Sequence, residues 1–466
     1  MRTTIRVATL ATALSFGTAA AHAQPHPQAE AQALDLLKRG IAFRTVAGPG
    51  NQTPAYAAFL KQTLVAGGFA EGDVEIVPVG DTAYLVARYR GTGTAKGGAK
   101  PLLISGHMDV VEAKPADWTR DPFTPVIENG FIYGRGAADM KYDLSTMVAT
   151  LIDLKRTGFR PARDIVLLLS GDEETAMKTT ALMADRFPDA ELLLNVDGGG
   201  GALDAGGKPT YFGIDGAEKT YADFELTVTN PGGHSSAPRR ENAIYTLAHA
   251  LTRIEAHAFP GQINEITRGS WEAEAAKAEP ARAAMIRRFL ANPNDAEALA
   301  ALRAEPSLVG QTGTTCVATM INGGHATNAL PQRATANVNC RIFPGTPVEE
   351  VRQTLATAAA EPALTIRTLD SGSVSSPASP LRPDLIAAVT SAIHSRFPGV
   401  AVVPGMSTGA SDSMWFRAKG VPSYGVSPMF TTPGESFAHG LNEKSPLSEI
   451  APSITYYCSV LTTLAR

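Results

Sequence analysis

A chain of 466 residues, 44% hydrophobic and 18% charged, is long and apolar enough for one to three domains with sizeable cores, which excludes a peptide-scale scaffold and a disordered chain. Its 41 basic and 45 acidic side chains leave a net charge of −4, which excludes a nucleic-acid-binding surface spread over the whole protein. Three cysteines, Cys316, Cys340 and Cys458, are too few for a disulfide framework or a cysteine zinc cluster, so a metal site would have to use His, Asp and Glu.

Arg2 and Arg6 precede an uncharged run over residues 7–21, and Ala21-His22-Ala23 has the small-x-small pattern of signal cleavage before Gln24. The run falls short of the roughly 20 residues that span a bilayer, so residues 1–23 are expected to be a cleaved export signal and the protein periplasmic or secreted. No later stretch reaches spanning length, and no membrane association is expected after cleavage.

Residues 24–215 are expected to form the first part of a catalytic domain. Apolar runs at 101–106, 165–170 and 191–196 alternate with helical spacing at Leu144, Met147, Val148, Leu151 and Leu154, the pattern of an α/β fold with a mostly parallel sheet. Sites in such sheets lie at the carboxyl ends of strands, and here those ends read His107-Met108-Asp109, Asp172-Glu173-Glu174 and Asp197.

Residues 216–376 change grammar. Phe224, Leu226 and Val228 alternate, as do Ala334, Ala336, Val338, Cys340 and Ile342, which predicts an antiparallel sheet. Helical spacing from Ile244 to Ile254 and a helix after Pro347 suggest helices on one face, giving an inserted α+β lid. Within it, residues 260–311 are rich in Ala, Glu and Arg and are expected to be an insertion of two helices on the lid's surface. Cys316 and Cys340 fall in strand-like segments of this region and could pair in an oxidising compartment; buried free thiols fit the same pattern. Residues 377–466 return to the first fold, with a helix from Leu385, a strand at 422–426 and a closing helix at 449–464.

Five imidazole or acidic positions stand out as metal-ligand candidates: His107, Asp139, Glu174, Asp197 and His439. Nitrogen and oxygen donors without sulfur suit Zn²⁺ of a catalytic type, or Mn²⁺ and Co²⁺. Asp109, two residues beyond His107, can accept the second ring N–H of that imidazole and so fix its orientation. Asp139 ends a glycine-rich turn before a helix, where it could deliver a carboxylate or merely cap the helix. Of the adjacent pair Glu173 and Glu174, one can bind metal while its neighbour serves as general base.

These motifs, in order and spacing, resemble the M20 metallopeptidase family. The likeness rests on His107-Met108-Asp109-Val110-Val111, on Trp118, Asp121-Pro122-Phe123, Gly130, Gly134-Arg135-Gly136 and Asp139-Met140-Lys141, and on Gly171-Asp172-Glu173-Glu174-Thr175. It extends through Pro231-Gly232-Gly233-His234-Ser235-Ser236-Ala237-Pro238, the series Asn328, Pro331, Arg341 and Pro344-Gly345, then Gly409-Ala410-Ser411-Asp412 and His439-Gly440-Leu441-Asn442-Glu443. The insertion at 260–311 resembles the larger lid of the carboxypeptidase S branch. By resemblance, Asp139 bridges two divalent ions, His107 and Asp197 complete the shell of one, and Glu174 and His439 that of the other. Glu173 is then the base that takes a proton from water and Asp109 orients His107. His234 stabilises the oxyanion, often of a neighbouring subunit, while Asn328 and Arg341 hold the substrate carboxylate and Gly409, in its motif, is a further substrate-binding position. The resemblance also implies a cis peptide at Asp139–Met140 and a homodimer through the lid; Tyr142, where many members have Gly, departs from the pattern without removing a ligand.

The expected activity is hydrolysis of an amide bond beside a free carboxylate, by a dipeptidase or carboxypeptidase, with an N-acyl-amino-acid hydrolase as the alternative. A non-catalytic binding protein on the same fold would be marked by lost ligands, and every ligand position is filled. An M28-type aminopeptidase has a similar ligand order but not the lid around His234, and a serine hydrolase would need a nucleophile elbow that the chain lacks.

Overall fold

The computed structural model describes residues 26–93, 98–432, 434–435 and 437–466. The expected signal at 1–23 lies outside the described residues. A ten-stranded sheet organises the larger domain, with strands in the order Val74–Val79, Thr82–Tyr89, Ile165–Ser170, Leu102–His107, Leu192–Asn195, Ser423–Gly425, Pro209–Glu218, Gly200–Leu203 and Phe430–Thr431; Val402–Ser407 also pairs with Pro209–Glu218. Its centre is parallel: Leu102–His107 pairs in parallel with Ile165–Ser170 and with Leu192–Asn195, and Leu192–Asn195 with Ser423–Gly425.

These central strands are buried at every position, and mostly apolar, because both faces are covered. Successive side chains sort to opposite faces: Leu102, Ile104, Ile165, Leu167 and Leu169 join the core beneath helices Pro27–Ala42, Lys141–Arg156, Pro383–Arg396 and Ile450–Leu464. Leu103, Val166, Leu168 and Leu193 face the opposite core, with Met183 of helix Lys178–Arg186 and Phe416 of helix Ser413–Ala418. Each such side chain, fully buried, contributes about 1.5–3 kcal/mol, enough in sum to hold the strand ends as a rigid platform. Tyr142 sits in the first turn of Lys141–Arg156, where its hydroxyl lies 3.3 Å from Ser453 Oγ of the closing helix, so the residue packs two helices together and leaves the preceding turn free.

The lid is a second, four-stranded antiparallel sheet, ordered Thr315–Gly323, Arg333–Ile342, Thr220–Thr229 and Leu364–Leu369. Phe224, Leu226, Val228, Ala334, Ala336 and Val338 point to one face and pack under helices Ala243–Glu255 and Val348–Ala359. Cys316 and Cys340 are direct cross-strand partners and form a disulfide. Catalytic strand Pro209–Glu218 runs to within one residue of lid strand Thr220–Thr229, which makes Lys219 the joint between the sheets.

The insertion departs from its expected form. It holds four helices, Glu265–Lys277, Pro280–Ala291, Ala296–Arg303 and Pro306–Val309, where two were expected. Trp271, Ile286, Phe289, Ala298 and Leu302 give it a small core of its own. Its first helix also rests on the catalytic domain rather than only on the lid: Gly269 lies against Pro404, and Ser270 Oγ donates to the Pro404 carbonyl. Ile266 of the same helix joins Ala217 and Met406 in a small shared core, while Gly269 and Ser270 carry no apolar periodicity to mark the rest of the contact.

Candidate metal centre

Three strand ends and two turns bring the candidate ligands together. His107 closes strand Leu102–His107, and a Cβ on the preceding Gly106 would come within 2.6 Å of Met140 Cε. The missing side chain lets Met140 pack beneath His107, whose N–H lies 3.0 Å from Met140 Sδ. Asp139 ends a turn in which Gly136 takes φ +84, a conformation that favours glycine, and the Asp139–Met140 peptide is cis. Asp197 follows Leu192–Asn195 and donates its N–H to Asn195 Oδ1 at 2.9 Å. His439 stands in a turn with φ +61.

The Asp139 carboxylate divides its two oxygens between the two imidazoles. Oδ1 is 3.1 Å from His107 Nε2, and Oδ2 is 3.0 Å from His439 Nε2. On the first side, Asp197 Oδ2 lies 3.7 Å from the same His107 nitrogen; on the second, Glu174 Oε1 lies 3.0 Å from His439 Nε2 across 265 positions of sequence. His107, Asp139 and Asp197 thus place ligand atoms within 4.8 Å of one another, and so do Asp139, Glu174 and His439. Glu173 lies as close to His107 and Glu174. All five expected ligands converge, in two groups that share one carboxylate.

Burial raises the Glu173 carboxyl well above its ordinary value, with Asp197 adding to the effect and His107 opposing it. Asp197 is likewise raised, by burial and by Asp139. Burial would also raise Asp139, but its bonds to His107 and His439 outweigh that and hold it low. Hydrogen bonds to Asp139 and Glu174 push His439 up to about 10. The group crowds four carboxylates around two imidazoles in a partly desolvated cleft, a donor set that fits divalent cations: the repulsion among the acids is what cationic charge relieves, and both ring Nε2 atoms face the same spaces as the carboxylate oxygens. The cleft is a cavity of about 220 Å³ whose walls include Asp215, Glu218, Ser407, Ala410 and Ser411 besides Asp139, Glu173, Glu174, Asp197 and His439.

Asp109 has a broader task than the spacing suggested. His107 Nδ1 is nearest its main-chain carbonyl, at 3.0 Å, with the carboxylate at 3.6 Å. The carboxylate oxygens accept the N–H groups of Glu173 and Glu174 at 3.1 and 3.0 Å, so one residue orients the imidazole and both acids. His234 is exposed on the lid, its Nδ1 2.7 Å from Ser236 Oγ, and is not among the residues lining the cleft. Asn328 is also exposed there and its main-chain carbonyl accepts the Ser235 N–H. Arg341 reaches from the lid toward the catalytic domain, with Nη1 3.4 Å from the Thr408 carbonyl, beside Gly409, whose own N–H donates to Ser407 Oγ.

Two acids quoted only as parts of motifs turn out to hold the site. Fully buried Glu443 accepts the N–H groups of Ala138 and Asp139 on Oε1, and the Arg135 guanidinium and Gly136 N–H on Oε2. Asp412 accepts the hydroxyls of Ser170 and Thr180, tying the 409–412 loop to the strand that leads to Glu173. The signal for both was their place beside glycines in otherwise short motifs, but nothing local reveals a partner hundreds of residues away.

A three-layer α/β core with a paired His and carboxylate centre and a separate lid defines the class as a dinuclear metallohydrolase. Residues 103–463 match the sequence model of Peptidase family M20/M25/M40, and the chain belongs to that family. It is 30% identical to the N-fatty-acyl-amino acid synthase/hydrolase PM20D1 of Bos taurus, over 77% of this chain and 74% of the bovine protein. It is 26% identical to a probable carboxypeptidase S-like protein of Dictyostelium discoideum, over 77% and 70% of the two chains. In fold it is similar to an M20 family metallo-carboxypeptidase of Sulfolobus solfataricus, with a TM-score of 0.69 at 20% identity over 92% of this chain and 98% of the other. The dipeptidase Dug1p of Saccharomyces cerevisiae gives a TM-score of 0.64 at 16% identity, over 94% and 97%. The chain is therefore a metal-dependent hydrolase acting on C–N amide bonds.

Proposed function

We propose that this enzyme cleaves the amide bond next to a free carboxylate, as a dipeptidase or carboxypeptidase acting on short peptides, outside the cytoplasm. The observation that carries this reading is the split of the Asp139 oxygens between His107 and His439, which gives the cleft two ligand groups of like composition. Two divalent ions, with Zn²⁺ the first choice and Co²⁺ or Mn²⁺ alternatives, would be held by His107, Asp139 and Asp197 on one side and Asp139, Glu174 and His439 on the other. When bound, such ions acidify a shared water and polarise the scissile carbonyl.

Glu173 is the group left over for proton transfer. Desolvation raises its affinity for a proton, and Asp109 fixes its backbone, so its carboxylate can take a proton from water and return it to the leaving amine. Arg341, which projects from the lid to the 407–409 loop, suits the substrate carboxylate, with Asn328 and Gly409 assigned to the same task. His234 would offer an oxyanion donor after lid closure or to a partner's site. The lid's outer strand Thr315–Gly323 leaves Val317, Met320 and Ile321 exposed, with Tyr245 exposed on helix Ala243–Glu255, and this apolar edge supports a homodimer that would bring a second His234 near.

Export rests on the sequence of residues 1–23, and the Cys316–Cys340 disulfide is in keeping with an oxidising compartment. A second reading, hydrolysis of N-acyl amino acids, is favoured by the PM20D1 relatives. Dipeptides and N-acyl amino acids assayed side by side, with each metal restored to chelated protein, separate the two. Cleavage of peptides alone supports the first reading, and cleavage of N-acyl amino acids alone replaces it with the second.

A further inference from the structure

Outside the metal centre, one further group of His, Cys, Asp or Glu donors among the described residues is close enough to share an ion. His26, Asp153 and Cys458 place an imidazole nitrogen, a carboxylate oxygen and a sulfur within 4.8 Å of one another. They come from three helices on the same face of the large sheet. His26 directly precedes helix Pro27–Ala42, Asp153 lies in the last turn of Lys141–Arg156, and Cys458 sits midway along the closing helix Ile450–Leu464.

Local structure already aims two of the three. The His26 ring makes no capping bond to its own helix; instead its Nδ1 lies 2.7 Å from Asp153 Oδ2. The other carboxylate oxygen accepts from the Arg156 guanidinium three residues on, which holds Asp153 with Oδ2 toward the imidazole. Asp153 is almost wholly buried while the His26 side chain is 18% exposed, so the entry path for an ion is on the His26 side. An ion pair accounts for these two residues but leaves out Cys458, the one cysteine outside the Cys316–Cys340 disulfide. Nitrogen, oxygen and sulfur together make a donor set that Zn²⁺ accepts, with water in the fourth place. Bonds of about 2.0 Å to nitrogen and oxygen and about 2.3 Å to sulfur set ligand atoms roughly 3.3–3.5 Å apart, so the imidazole and carboxylate need part by only about half an ångström to admit the ion.

We propose that His26, Asp153 and Cys458 form a structural Zn²⁺ site, separate from the catalytic centre, that pins the start of the first helix to the helix beginning two residues after Asp139 and to the closing helix. His26 lies beyond the expected cleavage point before Gln24, so a processed chain keeps all three donors. A carboxylate and a thiolate match the two charges of the ion. Burial and Asp153 push the Cys458 thiol up to about 12, so binding displaces the thiol proton to solvent, and at neutral pH this ion is taken up after the two of the catalytic centre.

The test uses Co²⁺, because cobalt bound by a thiolate absorbs strongly in the near ultraviolet and cobalt bound only by nitrogen and oxygen does not. The ligand groups of the catalytic centre contain no sulfur, so the band reports this site alone. Wild type, Cys458→Ala and His26→Gln are chelated, their free thiols counted and their folding checked by circular dichroism. Each is then titrated with Co²⁺ while bound metal, near-ultraviolet absorption and turnover are followed. Wild type should hold three ions per chain at saturation and gain the band, whereas either variant should hold two, lack the band and keep wild-type turnover. Zn²⁺ added to cobalt-loaded wild type should bleach the band, and a band that resists it would overturn the assignment to zinc. A wild type that stops at two ions, or binds a third without the band, overturns the site. A band that survives His26→Gln shows cobalt held by the thiol without the imidazole, and overturns it equally. None of these failures touches the catalytic centre, which is judged by turnover at two ions.

Discussion

Glu443 and Asp139 are 304 positions apart in sequence and joined by a 2.9 Å hydrogen bond from the Asp139 N–H to Glu443 Oε1. The carboxylate that faces both His107 and His439 is thus aimed by an acid from the loop that carries His439, and Arg135 Nη2 closes the arrangement by donating to the Gly440 carbonyl at 3.2 Å. Since both Glu443 oxygens accept from two donors, Glu443→Gln must set an amide N–H₂ against two N–H groups. With Arg135 3% exposed and deprived of its charge partner, the cost should approach the roughly 3–5 kcal/mol of a broken buried ion pair. Thermal melting of the metal-free variant should fall well below wild type, and its metal content after dialysis should fall with it.

With Glu173 proposed as the base and its neighbour Glu174 as a metal ligand, conservative substitution separates the two. Glu173→Gln should retain metal and lose turnover, because an amide cannot accept a proton at neutral pH. Glu174→Gln should lose metal, because a charged donor beside His439 becomes neutral. Metal analysis and turnover measured on the same samples check this; near-native activity in the Glu173 variant would remove it from the role of base.

In the metal-free protein, Asp139 and Glu174 raise His439 from 6.5 to about 10, so its imidazole is protonated at neutral pH. A metal needs the neutral ring. Binding at pH 7.5 should therefore release at least one proton, and affinity should climb as pH rises from 6.5 toward 10. Calorimetry in buffers of different ionisation enthalpy measures the release directly, and a heat independent of buffer would contradict it.

His234 is exposed and stands apart from the residues lining the cleft. His234→Ala should nonetheless lower turnover by roughly 10²–10³, the effect of one lost oxyanion donor, with metal content unchanged. If the site is shared between subunits, mixing inactive His234→Ala and Glu173→Gln proteins should restore part of the activity through hybrid dimers. No recovery after verified subunit exchange would leave lid closure within one chain as the account.

The sequence reveals most where local pattern and tertiary role coincide. Strand Ile165–Ser170 falls on the apolar run expected for it, and the five ligand positions stand at strand ends or glycine turns, where chemistry on a sheet belongs. It reveals least where a residue acts at long range. Glu443 and Asp412 look like ordinary loop acids until their partners are in place, and Asp109 looks like a support for one imidazole when it also holds two backbone N–H groups. Lys219 is invisible for a related reason: a single lysine between strand patterns reads as solvent-exposed, and only the fold buries it beside two arginines.

Restoring metal to chelated protein tests the central claim, that one carboxylate joins two ligand groups into a single catalytic centre. Turnover on the best substrate is followed while Zn²⁺, Mn²⁺ or Co²⁺ is added, with bound metal counted at each step. Wild type should reach full activity at two ions per chain, and Asp139→Asn, deprived of the carboxylate that faces both His107 and His439, should bind neither tightly and stay inactive. Full turnover by metal-free protein, or an Asp139→Asn variant that keeps two ions and normal activity, would contradict the account.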